Sequence, residues 1–128
     1  MHFEHAAMNV PDPQAMAQWY VRNCGLRTVV ATTTPPYVHF LADVTGRVIF
    51  ELYANPKAVI PDYASQHPLV LHLAFAVEDV DKTKAHLLEA GATEFSDETQ
   101  ANGSRLVMLR DPWGVPLQLV KRTVPLGA

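Results

Sequence analysis

The chain repeats itself, and that constrains its architecture more than any other feature. Phe3-Glu-His-Ala-Ala-Met-Asn-Val-Pro-Asp12 and Val70-Leu-His-Leu-Ala-Phe-Ala-Val-Glu-Asp79 share a His, a Val five residues later and an Asp seven residues later. The histidines, His5 and His72, lie 67 positions apart. Glu51 in Val48-Ile-Phe-Glu-Leu-Tyr53 and Gln118 in Val115-Pro-Leu-Gln-Leu-Val120 are separated by the same 67. Two copies of one unit indicate a duplication; a solenoid needs three or more repeats.

Within each copy the pattern reads strand, helix, strand, strand, strand. The first copy predicts strands near 3–10, 26–33, 37–43 and 47–54, rich in Val, Thr, Tyr and Phe. Asp12 is a candidate N-cap with Pro13 at the first helical position. Met16, Trp19 and Tyr20 then recur at helical spacing, to about Asn23. The second copy predicts a strand over Leu71–Val77 and a helix capped by Asp79, with Val80, Thr83, Leu87 and Leu88 on one face and Gly91 just beyond its end. Strands near 92–98, 104–110 and 115–122 follow, with Asp111-Pro-Trp-Gly114 as a turn before the last. The expected organisation is one α+β domain over 1–128: two βαβββ modules in tandem (1–54 and 70–122), a Pro-bearing linker over 55–69 and a tail over 123–128.

Composition narrows the function. With 48% hydrophobic and 18% charged residues, the chain can bury a core. A net charge of −3 with no basic cluster argues against nucleic acid as a partner. No apolar run approaches the roughly 20 residues of a membrane span, and Met1-His2-Phe3-Glu4-His5 does not read as a secretion signal. Cys24 is the single cysteine, which excludes an internal disulfide and a cysteine-based zinc site. A cytoplasmic protein acting on a small molecule is the expectation.

Side chains alternate along a strand. His5, Ala7 and Asn9 therefore share a face opposite Ala6, Met8 and Val10, and His72, Ala74 and Ala76 oppose Leu71, Leu73, Phe75 and Val77. Glu51 opposes Phe50 and Leu52; Gln118 opposes Leu117 and Leu119. Polar residues beside small ones suggest a cavity. A single strand histidine is more often structural, but a carboxylate inside Val-Ile-Phe-Glu-Leu-Tyr is costly to bury unless paired or metal-bound. If the copies are related by a pseudo-twofold axis, His5, Glu51, His72 and Gln118 converge. Two imidazoles and a carboxylate with open positions suit Zn, Ni, Mn, Co or Fe. His39, alternating with Val38 and Phe40, is a candidate pocket residue, as are Asn9, Tyr37 and Trp113. Cys24 and His86 read as structural or surface residues; His2 and His67 are unassigned.

With His5-x4-Val10-x-Asp12, Trp19-Tyr20…Gly25-Leu26, Phe50-Glu51-Leu52, His72-Leu-Ala-Phe75-x-Val77-x-Asp79 and Asp111-Pro-Trp-Gly-Val-Pro-Leu-Gln-Leu119, the chain resembles the vicinal oxygen chelate superfamily over residues 3–122. That superfamily includes glyoxalase I, bleomycin-resistance proteins and extradiol dioxygenases. The resemblance implies curled mixed sheets forming a cup with helices outside, one divalent ion held at His5, Glu51, His72 and Gln118, and a homodimer. It implies a lyase or isomerase that chelates two substrate oxygens and passes through an enediolate-like intermediate, with Glu51 as the base. Gln118 departs from the usual final Glu: it can coordinate through its carbonyl but cannot act as a carboxylate base. An Fe(II) dioxygenase of the extradiol type and a metal-free sequestering protein of the bleomycin-resistance kind are the alternatives.

Overall fold

The computed structural model describes residues 1–127; Ala128, the end of the expected tail, lies outside the described residues. The chain divides into two compact units, Met1–Pro61 and a second beginning at Asp62. The division falls inside the stretch expected as a linker, which also holds a short 3-10 turn, Tyr63–Ser65, not foreseen from the sequence.

Unit 1 contains β1 (Ala6–Asn9), α1 (Pro13–Cys24), β2 (Arg27–Ala31), β3 (His39–Ala42) and β4 (Val48–Tyr53). Its sheet order is β1-β4-β3-β2. β1 runs parallel to β4, and the other neighbours are antiparallel. This is the βαβββ plan read from the sequence. α1 starts where Asp12 accepts a hydrogen bond from the Ala15 N–H at 3.0 Å, satisfying one of the helix's orphan donors, with Pro13 fitting the first turn. It ends at Gly25, whose φ of 69° puts it in the left-handed region. The apolar stripe Pro13, Met16, Ala17 and Tyr20 is buried. Tyr20 meets Phe50 edge to face at 5.5 Å, and Val10, Leu41 and Leu52 are fully buried beside them. Each such side chain contributes about 1.5–3 kcal/mol through burial.

Unit 2 repeats the plan with β5 (Leu73–Ala76), α2 (Val80–Glu89), β6 (Thr93–Thr99), β7 (Arg105–Arg110) and β8 (Pro116–Lys121), in sheet order β5-β8-β7-β6. Asp79 caps α2 by accepting from the Lys82 N–H at 2.9 Å. Val80 and Leu87 are buried, as are Val107, Leu109, Leu117 and Leu119 of the sheet. The Asp111 carboxylate accepts from the Trp113 and Val115 N–H groups at 2.9 Å each, closing the expected turn.

The 3-10 turn is fastened to this sheet. Arg110 donates to the carbonyls of Tyr63 (3.0 Å), Gln66 (2.7 Å) and Gly114 (3.1 Å). Gly114 lies so close to Ala64 that a Cβ there would stand 2.6 Å from the Ala64 Cβ. On the exposed side, Asp97 binds both Arg105 (2.8 Å) and Lys84 (2.7 Å), and Arg105 reaches Asp81 on α2.

The strands are shorter than the sequence suggests. β1 begins at Ala6 and β5 at Leu73, so each key histidine sits immediately before its strand. Leu71, expected to face the core, is 49% exposed.

Candidate metal centre

Strand register places the candidate ligands. In unit 1, Ala7 pairs with Glu51 across the parallel β1–β4 ladder, so Glu51 shares a face with Ala7 and with His5 two residues earlier. In unit 2, Ala74 pairs with Gln118 across β5–β8, which puts Gln118 on the face of Ala74; His72 lies just before that strand. The 67-residue offset is thus also an equivalence of register.

In unit 1 the structure brings two of these side chains together. His5 Nε2 lies 3.4 Å from Glu51 Oε2, with the side chains 28% and 17% exposed. Through its other nitrogen, Nδ1, His5 donates to the Glu4 carboxylate at 2.9 Å. With Nδ1 carrying the proton, Nε2 offers a lone pair to a carboxylate that also offers lone pairs. Two electron-pair donors facing each other at this distance need a cation or a proton between them. Two donors about 2.1 Å from a common ion at a tetrahedral angle lie about 3.4 Å apart, and the same separation suits an ion pair through a proton on Nε2.

His72 is oriented in the same way. Its Nδ1 lies 2.9 Å from the Pro68 carbonyl, which can only accept, so Nδ1–H is the donor and Nε2 is free to act as a ligand. His72 and Gln118 are both half-buried. Ala74, Ala76 and Val120, on their face, line a cavity of about 450 Å³ that the C-terminal residues Pro125 and Leu126 also border. Within either unit, among the described residues, no three His, Cys, Asp or Glu side chains gather closely enough to hold a metal.

The expected pocket residues of unit 1 lie elsewhere. His39 pairs with Leu52, not Glu51, and so points to the helix side of the sheet, where it is 7% exposed. Its neighbour Phe40 pairs with Glu51 and occupies the ligand face, edge-on to His5 at 5.2 Å. The expectation for His39 fails because polarity suggested which side chain faced the cavity, whereas register with β4 decides it. Asn9 is buried and committed to the backbone: its amide donates to the Asn55 (3.0 Å) and Ala58 (2.9 Å) carbonyls and accepts from the Asn55 N–H (2.7 Å). Tyr37 sits in the turn before β3 with φ 59° and is exposed. Trp113, in the Asp111 turn of unit 2, is half-buried.

Three participants were not foreseen. Phe40 could have been found only from the β3–β4 register. Glu4 adjoins His5, and neighbours within a strand point to opposite faces; their contact is possible because β1 begins only at Ala6. The Pro68 carbonyl carries no side-chain signal at all.

The sequence model of the Glyoxalase/Bleomycin resistance protein/Dioxygenase superfamily matches residues 2–119. The chain belongs to that superfamily. Solved structures with the same fold include the glyoxalase family protein from Enterococcus faecalis, at 25% identity and TM-score 0.71, covering 94% of this chain and 97% of that one. The glyoxalase family protein from Bacillus cereus has 18% identity and TM-score 0.74, covering 94% and 93%. A glyoxalase-related enzyme from Fulvimarina pelagi has 18% identity and TM-score 0.74, covering 100% and 94%. No curated protein sequence matches the chain. Among the described residues, no helix is long and apolar enough to cross a membrane.

Proposed function

We propose that this superfamily member is a divalent-metal-dependent lyase or isomerase acting in the cytoplasm on a small substrate with adjacent oxygens. The observation that carries this reading is the His5–Glu51 pair: an imidazole nitrogen and a carboxylate oxygen 3.4 Å apart, with the imidazole held by Glu4. His72, fixed by the Pro68 carbonyl, and Gln118 are the corresponding pair of unit 2. Since each unit offers two of the four donors, a complete site takes one pair from each, within one chain or across a homodimer.

A bound divalent ion would supply Lewis-acid polarisation of two neighbouring substrate oxygens. The chain's own chemistry lies in Glu51. As the only carboxylate of the four, it accepts a proton from the carbon beside the substrate carbonyl and returns it to the neighbouring carbon in an isomerisation. Gln118 contributes a neutral carbonyl oxygen and no base. Phe40, edge-on to His5, borders one side of the pair.

Metal content of protein purified without chelator tests the proposal. About one ion per chain, lost in both His5→Ala and His72→Ala, is the expected result. Glu51→Gln should abolish turnover of any identified substrate. No affinity for any added Zn, Ni, Mn, Co or Fe would overturn it. A second reading, a metal-free sequestering protein, is favoured by the cavity beside Ala74, Ala76 and Val120, bordered also by Leu126. It predicts apolar ligand binding that persists in the His5→Ala and His72→Ala variants.

A further inference from the structure

On the opposite side of the unit 1 sheet, α1 and the sheet border an open groove, about 390 Å³ in volume, lined by apolar Ala17, Val21 and Ala31 and by five polar side chains. Gln14, Gln18 and Arg22 recur every four residues along α1, so they form one row on the helix. Thr28 and His39 face them from the sheet. The volume is within the range of small-molecule sites.

His39 is the notable member. It is 7% exposed, and its Nδ1–H donates to the Tyr37 carbonyl at 2.8 Å, which fixes the ring and its tautomer. In the neutral imidazole Nε2 then carries the lone pair, and it has no protein partner among the described residues. Among the described residues, no wholly enclosed side-chain nitrogen or oxygen lacks a hydrogen bond. Nε2 thus remains reachable, and the cavity that the ring lines is its outlet. Arg22 likewise makes no ion pair or hydrogen bond among the described residues, and it is the only permanently charged group of the lining. A polar nitrogen held this rigidly at a cavity wall, opposite an uncompensated guanidinium, is suited to a ligand that supplies what both lack.

We infer that this groove binds a small hydroxylated oxyanion, its O–H donated to His39 Nε2 and its charged oxygens held by Arg22. Gln14, Gln18 and Thr28 complete the hydrogen bonding. Hydrogen phosphate and a 2-hydroxycarboxylate both carry this pair of groups. Sulfate carries the charge without the O–H and is the natural control. The site is separate from the Glu51 face: His39 and Phe40 are consecutive on β3 and point to opposite sides.

The test follows the imidazole nitrogens of the intact protein by NMR during titration with inorganic phosphate, glycolate or sulfate. A saturable shift of the His39 Nε2 resonance with phosphate or glycolate, and not with sulfate, is expected; which of the two acts identifies the ligand class. Arg22→Gln, an exposed helix substitution, should weaken that binding about tenfold, as loss of a charge-assisted hydrogen bond does. Three results overturn the inference: a His39 ring unmoved by every probe, sulfate acting as strongly as phosphate, or Arg22→Gln titrating like the wild type.

Discussion

Gly114→Ala should destabilise unit 2 by about 2–4 kcal/mol, and the size follows from two separable costs. The residue has φ +84°, where a Cβ costs about 1 kcal/mol or slightly more. The added Cβ would also stand 2.6 Å from the Ala64 Cβ and 2.8 Å from both the Cα and the backbone nitrogen of Ala64. Those atoms cannot swing aside as a side-chain tip would. The 3-10 turn must move by nearly an ångström, and overpacking of this kind costs about 1–3 kcal/mol. Gly103→Ala is the control in the same unit: its φ is +87°, but its Cβ would meet only the Thr123 methyl, at 3.3 Å. It should cost about 1 kcal/mol, the backbone part alone. Urea unfolding followed through Trp113 fluorescence in a Trp19→Phe background reports on unit 2. The midpoint should fall further for Gly114→Ala than for Gly103→Ala at similar m-values. Equal midpoints would refute the claim that the turn is packed rigidly against Gly114.

Asn9→Ala should cost about 2–3 kcal/mol, because it removes the partner of the Asn55 N–H and of the Asn55 and Ala58 carbonyls; chemical denaturation measures it. Arg110→Gln should release the Tyr63–Gln66 segment, read as faster backbone amide exchange there and as movement of the His72 ring resonances through Pro68. Hydrogen bonds from Arg105 and then Lys84 hold the Asp97 carboxyl well below the ordinary carboxylate range. A carboxylate whose folded pKa is depressed adds stability above its unfolded value, near 4, and loses it as pH falls below. Stability should therefore drop on acidification below about pH 5, and Asp97→Asn should flatten that acid limb in pH-dependent unfolding. An unchanged limb would mean the exposed network is screened to insignificance.

Much of the architecture was legible because duplication wrote it twice. Asp12 and Asp79 announced both helices, and the 67-residue offset reappears as equivalent pairings of Ala7 with Glu51 and of Ala74 with Gln118. β3 was not legible. Its facing depends on pairing with β4 and on a register shift between Leu41 and Ala42, neither of which appears in local periodicity. Polarity therefore favoured His39 where geometry selects Phe40. Asn9 misled for a related reason: a polar residue on the ligand face is spent on a backbone 46 residues away in sequence, a long-range bond with no sequence signature. Pro68 and the 3-10 turn belong to a segment legible only as a connection, yet that segment orients His72.

The parallel pairing of β1 with β4 has a consequence for how the chain is made. The first strand of each unit can be completed only by the last, so the ladder joining them is the final one available as the polypeptide leaves the ribosome. Glu51 and Gln118 lie on the closing strands β4 and β8, and His5 and His72 immediately precede the opening strands β1 and β5. A nascent unit has no use for its histidine until nearly all of its residues have emerged. Each donor pair then marks a finished unit, so a metal captured by such a pair would reward completed synthesis and leave truncated products without their clasp.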